Sequence, residues 1–110
     1  MSLLTVHLYV AFVVAALAVF AVWRRPERRI TLYVVTLQIA LGVILVVQGL
    51  RAPSLHYALG VLGWAGYMAA NALAKRPGRK NAVLAIAGIS SLLILIGYYI
   101  GMHAVKTGGG

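Results

Sequence analysis

The stretch 37–63, LQIALGVILVVQGLRAPSLHYALGVLG, decides how the chain folds: an apolar run, a turn carrying Arg51 and Pro53, then a second apolar run opening with His56. Helical spacing puts Gly60 and Gly63 about one and two turns beyond His56 on the same face. An ionisable imidazole therefore stands just inside an apolar segment, with little side-chain bulk below it. A flat ligand bound at that imidazole has room to lie there.

Composition extends this pattern to the whole chain. Of 110 residues, 63% are hydrophobic and only 10% charged, and the mean hydropathy of +0.96 is far from that of a soluble domain. Four apolar runs, 3–23, 30–50, 54–74 and 81–103, each have the roughly 20 residues that a helix needs to cross a hydrocarbon core about 30 Å thick. The expected fold is all-α: one integral membrane domain over 1–110, a four-helix transmembrane bundle made of two helical hairpins. No charged side chain precedes the first run, so it lacks the basic start of a cleavable signal and is expected to stay in the bundle.

Charge position gives the net +9 its meaning. Eight of the ten basic residues lie in two short turns, Arg24, Arg25, Arg28 and Arg29 in WRRPERRI and Lys75, Arg76, Arg79 and Lys80 in KRPGRK. By the positive-inside rule those turns are cytoplasmic, leaving both termini and the Arg51 loop outside. Anionic lipid headgroups are their expected partner. Nucleic acid is not, because the turns are short and offer no stacking platform for bases.

Several chemistries are excluded. There is no cysteine, hence no disulfide, thiolate nucleophile or Cys-held cluster. Glu27 is the one acidic residue, set among arginines whose mutual repulsion it relieves. Paired-carboxylate catalysis and carboxylate metal cages therefore fail, as does a proton-coupled exporter that needs a carboxylate inside the membrane.

What remains is imidazole. His7, His56 and His103 all fall at the outer ends of runs. His103 has bulky neighbours and a terminal position, which suits a solvated interfacial residue. His7 heads a smooth stripe through Ala11, Val14, Ala15 and Ala18, and His56 heads the glycine stripe; RRPERR follows the first and KRPGRK the second at similar distances. Two such hairpins bring His7 and His56 to equal depth, where neutral imidazoles can ligate a haem iron from opposite sides. Trp23 is expected to anchor the first helix at the interface. Gln38 and Gly42 share a face of the second run, either as interhelical glue or as a hydrogen-bonding group beside a ligand.

The run Gln38, Gly42, Gly49, Pro53 and His56 resembles the paired helices of the haem A synthase family, and the likeness covers about residues 3–75. It implies His7 and His56 as axial haem ligands. Where that family carries a glutamate and an arginine around its catalytic histidine, Leu4 and Leu8 stand here, which favours haem binding over oxidation of a haem methyl group. The expected site is thus a b-type haem in the outer half, ligated by His7 and His56, flanked by Gly60, Gly63, Ala11 and Ala15, with Arg51 on a propionate and Gln48 or Tyr57 nearby. The expected role is electron transfer, alone or as a subunit of a respiratory complex or homo-oligomer in the cell membrane. The alternatives are a minimal haem A synthase-like enzyme and a cofactor-free structural subunit.

Overall fold

A computed structural model describes residues 2–22 and 24–106. It is all-helical, with α1 (Leu3–Ala21), α2 (Arg25–Val47), α3 (Ser54–Leu73) and α4 (Lys80–Lys106) in chain order. Trp23 and the tail 107–110 lie outside the described residues.

Local chemistry sets the helix ends. The Ser2 side chain accepts from the Thr5 backbone N–H at 3.1 Å and caps α1. Pro26 sits in the first turn of α2, where its missing N–H costs nothing, so α2 begins five residues before the expected 30. It also stops earlier, because Gly49 takes a left-handed φ of 96° that ends the helical path. Pro53 immediately precedes α3, and neither it nor Ser54 caps the helix with a side chain.

The four helices run up and down around a ring, with α1–α2 and α3–α4 as hairpins and thinner contacts along α1–α4 and α2–α3. The molecule measures 46 × 23 × 21 Å. One end carries the starts of α1 and α3 and is the histidine end. The opposite end carries both basic turns.

Three helices, α1, α2 and α4, are long and apolar enough to cross a membrane. α3 falls short by composition, not length: its 20 residues include His56, three glycines, Trp64 and Asn71. Large apolar groups cover the outside, Phe12 at 66% exposure and Val43 at 58% among them, a surface that water would not tolerate.

The interior is small and closely packed. Ala18, Ala21, Ala70 and Ala87 are fully buried, and Tyr67 is the largest fully buried side chain. Where apolar burial against lipid gives little drive, close backbone approach and interhelical hydrogen bonds hold helices together. Both are present. A Cβ on Gly63 would lie 2.7 Å from two Ile94 carbons, and one on Gly66 would collide with Ser90 Oγ. Trp64 Nε1 donates to Thr36 Oγ1 at 2.9 Å, joining α3 to α2. At the basic end Arg28 is buried and donates to the carbonyls of Ala21 and Val22, both at 3.3 Å, closing the end of α1.

The glycines of α3 make a clean comparison. Gly63→Ala forces α3 and α4 apart, at a cost of about 1–3 kcal/mol, whereas a Cβ on Gly60 meets nothing within 4 Å and Gly60→Ala should leave helix content on heating unchanged or improved. Equal losses from the two variants would contradict this account of the seam.

Candidate functional site

The histidine end gathers residues from all four helices. His7 and His56 open α1 and α3, which stand diagonally in the ring. Both are half-buried.

Each ring leans on its own hairpin partner. The His56 ring lies on Gly101 of α4, where a Cβ would stand 2.7 Å from Cε1. Only a glycine admits the ring at this point. His56 Nδ1 is 2.8 Å from the Gly97 carbonyl oxygen, an acceptor, so Nδ1 carries the proton and Nε2 keeps its lone pair. A metal-ligating histidine is held in just this manner, with the second ring nitrogen donating to a backbone carbonyl.

His7 is held differently. Gln38 Nε2 donates to the His7 carbonyl oxygen at 2.9 Å and lies 3.3 Å from His7 Nε2, while Gly42 leaves room for the ring, with Cε1 3.4 Å from where a Cβ would be. Two buried atoms in this cluster, His7 Nδ1 and Gln38 Oε1, have no hydrogen-bond partner among the described residues. Buried polar atoms almost always find partners. Their neighbourhood is therefore one that a further polar or coordinating group would complete.

The other expected site residues divide. Gly60 opens onto free space below His56, but Gly63 is filled by Ile94 and belongs to the α3–α4 seam. Ala11 and Ala15 are half-buried on α1, while Arg51 and Gln48 are exposed around the loop between α2 and α3. The Tyr57 hydroxyl accepts from the Ala52 N–H at 2.8 Å and braces that loop. His103 is exposed and stacks on Tyr99, with ring centroids 6.3 Å apart and planes at 14°. Among the described residues no three His, Cys, Asp or Glu side chains group to hold a metal ion.

Sequence reasoning missed the seat of His56. Gly97 and Gly101 stand four residues apart on α4 facing α3, and between them they take the His56 imidazole. Their depth was the available signal: one hairpin turn places the end of α4 beside the start of α3. A buried chain at mid-height was missed as well. Ser91 Oγ donates to the Ala18 carbonyl at 2.7 Å, and the Tyr67 hydroxyl donates to Ser91 Oγ at 2.7 Å, which ties α3, α4 and α1 through one serine. The paired Ser90 and Ser91 within an otherwise apolar run were the clue, since a hydroxyl there needs a partner.

No family model, curated protein or solved structure matches the chain.

Proposed function

We propose that the protein crosses the membrane four times and binds a b-type haem between His7 and His56, serving electron transfer as a small cytochrome or as the haem-carrying subunit of a larger respiratory complex. The observation that carries this is an imidazole at the same end of each of two diagonal helices, with His56 fixed through Nδ1 to the Gly97 carbonyl and its Nε2 left for a ligand. When bound, haem supplies one-electron redox chemistry, and a bis-histidine site leaves no open position for oxygen.

The chain's own residues would act as follows. Gly97 and Gly101 fix the tautomer and aim of His56. Gln38 orients His7 through the His7 carbonyl and Nε2, which leaves Nδ1 as the ring nitrogen open to a further group. Gly60 gives a flat ring its approach to α3. Arg51, an exposed cation in the adjoining loop, suits pairing with a propionate, with Gln48 alongside.

Four crossings are supported by the geometry of α3. At about 1.5 Å per residue its 20 residues match the hydrocarbon thickness, and its polar groups His56, Trp64 and Tyr67 are hydrogen-bonded to neighbouring helices. The basic turns would then be cytoplasmic, and the histidine end outside with both termini.

A second reading has its own observation: the same contacts, His56 to Gly97 and His7 to Gln38, are also what interhelical ties look like. An absorption spectrum of the detergent-purified protein separates the two. A Soret band with sharp α and β bands on reduction is expected. A colourless protein, still colourless after haem is added, would mean the histidines only hold helices together.

A further inference from the structure

At the basic end the α2–α3 seam opens into a recess of about 310 Å³. Arg29 and Lys75 stand on its two sides, Tyr33 and Asn71 add polar groups, and Leu32 and Met68 line it with apolar surface. The cations come from different helical hairpins, α2 contributing Arg29 and the turn after α3 contributing Lys75. Neither side chain has an ion-pair or hydrogen-bond partner among the described residues. Glu27, the chain's one carboxylate, is already taken by Arg24 at 2.6 Å. Two positive charges thus converge on a recess with nothing among the described residues to neutralise them.

We propose that this recess binds one anionic phospholipid, its phosphate between Arg29 and Lys75 and an acyl chain along Leu32 and Met68. Charge complementarity selects the head. The apolar wall selects a lipid over a free anion, because a small phosphate would be held against Leu32 and Met68 with that surface left uncovered. The seam itself has space: α2 and α3 touch less than the helices within either hairpin, and the Trp64–Thr36 hydrogen bond closes it only further up. A second basic recess lies at the α3–α4 turn, where Arg76, Arg79 and Lys80 stand beside Val83 and Leu84, and it serves as the control for the first. Lipid binding rests on insertion in the membrane and is independent of the histidines.

Native mass spectrometry of the delipidated, detergent-solubilised protein tests it, with phosphatidylglycerol and phosphatidylcholine of identical acyl chains and with inorganic phosphate as competitor. One phosphatidylglycerol should be retained at concentrations at least about tenfold below phosphatidylcholine. Arg29→Gln with Lys75→Gln should weaken it by about 30-fold, while Arg76→Gln with Arg79→Gln leaves it nearly unchanged, all variants keeping wild-type helicity. Equal retention of the two lipids overturns the proposal, and so does an equal loss in both double variants. Displacement of the lipid by millimolar inorganic phosphate also overturns it, since the ligand would then be the anion alone. The absorption spectrum reports on haem separately, so either proposal can fail without the other.

Discussion

His56→Ala should abolish the low-spin haem spectrum, and His7→Ala should do the same or convert it to a high-spin one, while His103→Ala leaves it intact. The asymmetry follows from how the rings are held. His56 is fixed by the Gly97 carbonyl and seated on Gly101, so its loss removes a preorganised ligand. His7 is held through Gln38 and has an orphaned Nδ1. External imidazole should partly restore the His7→Ala spectrum, because that ring leaves a space bounded by Gly42. Gly101→Ala sharpens the test without touching a ligand. The added methyl would stand 2.7 Å from His56 Cε1 and 3.0 Å from Nδ1, displacing the ring from its carbonyl, and haem affinity should fall by roughly 10- to 100-fold. A wild-type spectrum in Gly101→Ala, in correctly folded protein, would break the link between this seat and haem. Were the histidines only interhelical ties, His7→Ala and His56→Ala would each cost about 0.6 kcal/mol of stability and change no colour.

Tyr67→Ala should produce the greatest loss of stability in the chain, about 3–5 kcal/mol. Its ring is fully buried among Val14, Ala18, Val35 and Ile94, and alanines around it cannot swell to fill the hole. Tyr67→Phe keeps the volume and removes only the bond to Ser91, a loss of about 1 kcal/mol. Ser91→Ala should cost more than Tyr67→Phe, since it strands a buried hydroxyl that has no water to turn to. Denaturation of the detergent-solubilised protein, followed by loss of helicity, ranks the three. If Tyr67→Phe proved as damaging as Tyr67→Ala, hydrogen bonding and not packing would dominate at mid-height.

The apolar runs and the two basic turns were legible because each is a property of consecutive residues. Helix number, near-correct boundaries and the pairing into hairpins all follow from them. α2 starts ahead of its apolar run because Pro26, which suits either a turn or a first helical position, stands inside the first turn, where its missing N–H costs nothing. Gly49 likewise ended α2 early through its own backbone freedom, a local effect visible only once φ is known.

What the amino-acid order determined by itself is therefore a set of four helices, the place of each histidine along its helix and the excess of positive charge at one end. Rotation of each helix about its axis was left open, because small residues occupy more than one face and favour no single partner. Tertiary packing decided that. It turned Gly63 toward Ile94 and away from the expected haem face, left Gly60 open, put the His56 ring on Gly101, and gathered Tyr67, Ser91 and Ala18 into one chain of hydrogen bonds. The reason is that close approach is a property of two surfaces at once, and a glycine specifies only that something can come near, never what does.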